Sequence, residues 1–195
     1  MPAISPKIVH DTYYVIAHFH YVVAPGTIFG LMAGIYYWFP KITGRVMNEF
    51  WGKVHFWLSL IFMNLVFQPM FAQGMGGMIR RMYNGGATYA MSDSELGVPS
   101  SLIKMNVGIS HAVWFLGLAQ VPFIINFFYS IRKGKKAESD NPWQGTTLEW
   151  QAPNVPPHGN FTKPIEVFRG PYEYSVPNHA TDFTPQNEPE KGHKH

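Results

Sequence analysis

From residue 13 to residue 39 the chain carries no Lys, Arg, Asp or Glu. That uncharged apolar stretch exceeds the roughly 20 residues a helix needs to cross the hydrocarbon core of a bilayer. Two histidines, His18 and His20, sit inside it. Ionisable groups at membrane depth are costly, so they mark function by default and need a partner in the protein interior. Their spacing sharpens the reading: at 3.6 residues per turn, positions i and i+2 lie about 200° apart. One regular helix therefore cannot offer both imidazoles to a single metal, but it can offer one to a separate centre on each flank. The alternative is a pair of histidines bonded to neighbouring helices or to water. Two histidines on opposite faces, with His10 and Asp11 just upstream, favour the functional reading.

Two more stretches are free of Asp, Glu, Lys and Arg, between Lys53 and Arg80 and between Lys104 and Arg132. Residues 56–77 and 105–131 read as a second and a third span. Backbone polar groups in lipid must be satisfied within the segment, and no strand-like alternation is present, so helices are expected. The expectation is an all-α membrane protein with three transmembrane helices (13–39, 56–77, 105–131). An outer N-terminal segment (1–12) precedes them and a Pro-rich irregular C-terminal tail (132–195) follows. The tail holds nine of the sixteen prolines, and its last fifteen or so residues are expected to be disordered.

Lys41, Arg45 and Lys53 follow the first span, and Arg132, Lys133, Lys135 and Lys136 follow the third. The positive-inside rule puts both groups on the cytoplasmic side or its organellar equivalent. His10, Asp11, Arg80 and Arg81 then share the outer side. The chain has no cysteine, which excludes disulfides and thiolate metal sites. A net charge of +3, concentrated in the flanks, reads as topology and not as nucleic-acid binding. Residues 1–9 lack the pattern of a signal peptide.

A neutral imidazole is a common axial ligand of haem iron, and a helix bundle supplies the apolar pocket that a macrocycle needs. His18 and His20 suit that chemistry best. His10 and Asp11 lie about two turns earlier, roughly 12 Å nearer the outer surface. An imidazole beside a carboxylate can hold Mg²⁺ or Mn²⁺ if further ligands come from elsewhere; a helix cap by Asp11 or Thr12 is the simpler reading. Arg80 and Arg81, after the glycine-rich QGMGGM, suit carboxylates such as haem propionates, or else snorkel to lipid headgroups. His55 and His111 read as bonded structural residues, Asn64 and Gln68 as interhelical hydrogen-bonders, and Met70, Met75 and Met78 as core filler. His179, His193 and His195 carry no geometry in the sequence.

At these residues the chain resembles subunit I of the haem-copper respiratory oxidases, specifically of cytochrome c oxidase. The run HDTYYVIAHFHYV at residues 10–22 is similar to the family's tenth membrane helix. WFP at residues 38–40, MIRRMY around Arg80 and Arg81, TTLEW at residues 146–150 and the following PPHGNF fall in the family's order. The resemblance covers most of the chain, to about Tyr174. It implies that His18 is the axial ligand of the high-spin haem, where oxygen is reduced, and His20 an axial ligand of the low-spin haem. It implies that His10 and Asp11 belong to a Mg²⁺ site and that Arg80 and Arg81 hydrogen-bond the propionates. Two haems of the A type are expected.

The implied partners are the remaining helices of subunit I, subunits II and III, cytochrome c, O2 and the lipid bilayer, with a multi-pass place in a bacterial cell membrane and coupled proton pumping. Quinol-oxidising relatives tend to carry another residue where Asp11 stands, which favours cytochrome c as donor. One departure is Pro6, where family members often have an acid. The copper ligands and proton-channel acids belong to helices that the resemblance does not cover, so the chain is expected to be a C-terminal fragment, inactive alone. A quinol oxidase and a haem-free, non-catalytic membrane polypeptide remain the alternatives.

Overall fold

A computed structural model describes residues 9–83, 100–177 and 182–189. Pro6, His179, His193 and His195 lie outside them, as do residues 1–8 and much of the stretch expected to be disordered. The chain is helical. Among the described residues, three helical stretches are long and apolar enough to cross a membrane: Tyr13–Thr43, Glu49–Met75 and Ser100–Lys133. Each continues beyond its uncharged run, because helix ends can carry charge where the chain leaves the apolar layer. Two compact units divide the chain, residues 1–33 with 49–125 and residues 34–48 with 126–195.

In the first unit, α1 (Tyr13–Val22) starts at Thr12, whose hydroxyl accepts from the Tyr14 amide at 3.3 Å. The cap is thus Thr12 and not Asp11. The helix is interrupted at Val23 before α2 (Ala24–Thr43), where Pro25 has no N–H for the Tyr21 carbonyl. Helix α3 (Glu49–Met75) ends in a Schellman turn. The Met78 amide bonds the Gln73 carbonyl at 3.0 Å, the Gly77 amide bonds that of Gly74 at 3.1 Å, and Gly77 takes φ +85°. α4 (Ser100–Leu118) and α5 (Val121–Lys133) are separated by a turn that Pro122 restarts.

Val66, Ile109 and Ala112 form the centre of the α3–α4 contact, with Phe62, Phe67, Met70 and Leu116 around them. Two polar clusters bracket this apolar patch. Gln73, 0 % exposed, donates to the Leu102 carbonyl at 2.7 Å and to Asn106 Oδ1 at 2.8 Å. Gln120 donates to Ser59 Oγ at 3.0 Å, and its Oε1 meets His55 Nε2 at 3.1 Å. His55 is 3 % exposed and stacks on Phe123, so it is the bonded structural residue its lone position suggests. His111 is exposed.

The second unit is built on Trp150, 1 % exposed, in a short 3-10 turn (Leu148–Trp150). Tyr37 meets its ring edge-on at 4.8 Å, and the Lys41 ammonium lies 5.1 Å from its centroid. Lys41 donates to the Asp140 and Ala152 carbonyls at 2.7 and 2.6 Å. A charge that reads in the sequence as a topology signal is therefore a buried tie between α2 and the tail. β1 (Arg45–Val46) pairs antiparallel with β2 (Lys135–Lys136), a small departure from an all-helical plan. The rest of the tail, over its described residues, is irregular but not loose: Thr184 and Gln186 are buried, and Gln186 bonds the backbone at Arg169, Thr146 and Leu148. Short backbone and side-chain bonds replace regular structure where prolines deny it.

Candidate functional site

His18 and His20 leave α1 in different directions. His18 is exposed, and its side chain makes no hydrogen bond among the described residues. His20 is half-buried against α3, its ring stacked on Phe67 with centroids 4.5 Å apart and planes 18° from parallel. Both histidines lie in the regular helix α1, where an i, i+2 spacing turns them about 200° apart.

The tautomer of the His20 ring follows from one contact. Its Nδ1 lies 2.8 Å from the Ile16 carbonyl oxygen. A carbonyl can only accept, so in the neutral ring Nδ1 holds the proton and Nε2 the lone pair. A histidine that ligates a metal characteristically donates its other ring nitrogen in this way, which fixes tautomer and ring orientation together. The donor set at His20 therefore fits an axial imidazole ligand.

Around His20 the α1–α3 contact is close and aromatic. Phe19 lies 4.2 Å away on the same helix but is itself exposed. Tyr21 donates to Asn64 Oδ1 at 2.6 Å and, more weakly, to Gln68 Oε1 at 3.4 Å. Both side chains expected to bond between helices do so. Tyr14 meets Phe71 edge-on at 4.9 Å. Gly74 lets the backbones approach: a Cβ there would lie 2.0 Å from the Tyr14 nitrogen. The glycine-rich QGMGGM stretch thus has a packing reason.

At the start of α1 the His10–Asp11 and Arg80–Arg81 pairs come together. The Arg80 amide bonds the Asp11 carbonyl, and the Tyr13 amide bonds the Met78 carbonyl, both at 2.9 Å, as a short antiparallel bridge. Arg80 Nε donates to Asp11 Oδ1 at 2.8 Å, and Nη2 reaches the same oxygen. This bond, aided by the nearby His10, holds the Asp11 carboxyl below the usual carboxylate range. Asp11 and Arg81, either side of the bridge, adopt left-handed backbones with φ 60° and 64°. Arg81 is exposed.

The other Asp11 oxygen, Oδ2, lies 3.0 Å from His10 Nδ1. That distance suits an ion pair. It is also about the spacing of adjacent corners in an octahedral Mg²⁺ shell with ligand bonds of ~2.1 Å. Among the described residues no third His, Asp or Glu joins them, so a cation here needs ligands from elsewhere.

Phe67 carries no chemical signal alone. A stripe could have pointed to it: Asn64, Phe67, Phe71 and Gly74 recur at helical spacing and all face α1. Of the methionines, Met78 is buried and Met70 packs on the core, whereas Met75 is exposed.

Residues 3–109 match the family model described as cytochrome c and quinol oxidase polypeptide I. The chain is 41 % identical over 181 residues to an "Alternative cytochrome c oxidase subunit 1" of Bradyrhizobium diazoefficiens, covering 92 % of this chain and 29 % of that protein. A cytochrome c oxidase subunit 1 of Synechocystis is 41 % identical over 174 residues, covering 89 % of this chain and 29 % of its own length. One from Thermostichus vulcanus is 46 % identical over 168 residues, covering 86 % and 28 %. The chain thus spans less than a third of the length of these curated relatives.

Proposed function

The chain belongs to the cytochrome c and quinol oxidase polypeptide I family, and on that basis we propose that it forms part of the catalytic subunit of a terminal respiratory oxidase. The complete assembly passes electrons from cytochrome c to O2 and couples this to proton pumping. Its partners are the remaining helices of polypeptide I, oxidase subunits II and III, cytochrome c and the surrounding bilayer of a bacterial cell membrane. The chain alone is inactive in this reading, because oxygen reduction in the family also needs copper and helices that the match does not cover.

His20 is the low-spin haem ligand and His18 the high-spin one. The observation that carries this is the pair of imidazoles at i, i+2 on one helix, with His20 set as an Nε2 donor by the Ile16 carbonyl. Haem, when bound, supplies the one-electron and oxygen chemistry. The chain's own residues hold and orient it. Arg80 and Arg81 offer guanidinium donors for propionates, with Arg80 also held by Asp11. His10 and Asp11 stand at a spacing that lets them share a Mg²⁺ ion whose other ligands lie elsewhere.

His20→Ala in the complete complex should remove the low-spin haem absorbance and leave the high-spin signal. An unchanged two-haem spectrum would overturn the assignment. The family takes in quinol oxidases as well. Turnover of the complete complex with reduced cytochrome c and with a quinol, measured side by side, distinguishes the two donors.

A further inference from the structure

The rotation of an imidazole about its bond to the helix is a soft coordinate. The final torsion of a histidine is broad and roughly two-fold, so a single hydrogen bond leaves the ring plane loosely held. At His20 that bond, Nδ1 to the Ile16 carbonyl at 2.8 Å, fixes one edge. The plane itself must be set by what lies against the face of the ring.

Two aromatic rings lie there. Phe19 is tilted by 32° and 44 % exposed, on the same helix, with no other ring contact among the described residues. Phe67 is nearly parallel, at 18°, and it comes from α3. It is braced twice: it packs on the Val66, Ile109 and Ala112 cluster, and Tyr21 meets it edge-on at 6.4 Å. Tyr21 is in turn pinned by its 2.6 Å bond to Asn64. A ring so held cannot turn freely to follow the imidazole; the imidazole must align with it.

We infer that Phe67 is a positioning residue that sets the plane of the His20 imidazole through a face-to-face stack, with Tyr21 and Asn64 holding Phe67 in register. The inference rests on the reading of His20 as the low-spin ligand. The plane of an axial imidazole governs how low-spin ferric iron splits its orbitals, so a change of plane is read directly in the g-values of the ferric signal. Ring orientation is the property that such outer partners control.

The test compares Phe67→Leu, Phe67→Met and Phe67→Tyr in the complete complex, with haem content measured by pyridine haemochrome and the ferric low-spin signal by electron paramagnetic resonance. Phe67→Leu and Phe67→Met should keep their haem but show shifted, broadened low-spin g-values. Phe67→Tyr, which retains the ring, should keep the g-values of the unaltered complex. Either ring-less variant with full haem and unshifted g-values overturns the positioning role, as does a Phe67→Tyr signal displaced as far as theirs. If Phe67→Leu loads no haem, Phe67→Met, whose unbranched flexible side chain adapts better to the vacated space, is read by the same criteria. His20→Ala separates the two layers: a surviving low-spin signal in that variant overturns the ligand assignment itself. Its loss alongside an unmoved Phe67→Leu signal overturns only the role of Phe67.

Discussion

Arg80 holds Asp11 twice, side chain to side chain at 2.8 Å and backbone to backbone at 2.9 Å. The two residues come from motifs that read separately in the sequence, one as a cation edge and the other as a propionate binder. Together they close the entry of α1 onto the turn that ends α3. The ion pair is partly solvated, so its side-chain half is weak by itself. The backbone bridge gives it a fixed geometry.

That clasp predicts a local effect. Arg80→Leu should raise hydrogen exchange a few-fold at the Tyr13 and Arg80 amides, which the bridge protects. Exchange in α3 near Val66 should stay unchanged. Equal acceleration at both places would mean that the bridge is not a separate local unit.

The glycines at the end of α3 should differ sharply. At Gly74 an added Cβ would sit 2.0 Å from the Tyr14 backbone nitrogen, whereas at Gly76 its one clash is with the Leu102 Cδ1 tip at 2.2 Å, the Ala72 and Gln73 carbonyl oxygens lying at 3.4 and 3.5 Å. A side-chain tip can rotate away; a capped helix start cannot. Gly74→Ala should therefore cost about 3 kcal/mol, at the upper end of overpacking, and Gly76→Ala about 1 kcal/mol or less. Thermal unfolding in detergent, followed by helical circular dichroism, measures the difference.

Lys41→Met keeps the stem length and removes the ammonium. The Asp140 and Ala152 carbonyls then lose their donor. Each hydrogen bond to a charged group is worth about 1.5–3 kcal/mol, so the tail should loosen measurably. The Val155 amide, bonded to the Lys41 carbonyl at 2.8 Å, is a convenient hydrogen-exchange reporter. Protection there equal to that in the unaltered chain would show that the ammonium is dispensable.

His55→Phe preserves stacking on Phe123 and removes the contact to Gln120 Oε1. An unsatisfied buried acceptor costs about 1–3 kcal/mol, and the lower end applies to the partly buried Gln120. Stability should fall by that amount while the haem spectrum of the complete complex stays unchanged. A spectral change would move His55 out of its structural role.

Much of the plan is legible in the sequence. The three spans follow from uncharged runs, since lipid leaves the backbone no other solution. The opposed directions of His18 and His20 follow from helix pitch alone. Less legible was anything that depends on which faces meet. Phe67 is one of many aromatics along α3, and only the crossing of α1 selects it as the ring against His20. Lys41 reads in the sequence only as a flank charge that sets topology, because no local pattern reveals that Trp150 and two carbonyls of the tail will enclose it.

Short-range chemistry and periodicity are properties of the chain itself. The sequence therefore determined the three helical spans and the two histidines on one helix, whereas the choice of Thr12 over Asp11 as cap and the break before Pro25 emerged only in the structure. The tertiary structure decided the pairings: Asp11 with Arg80, Gly74 with Tyr14, Tyr21 with Asn64, and Phe67 with His20. Each joins residues far apart in sequence, and such contacts depend on how two helices cross. Periodicity marks which face is apolar, but it does not say which neighbour that face will meet.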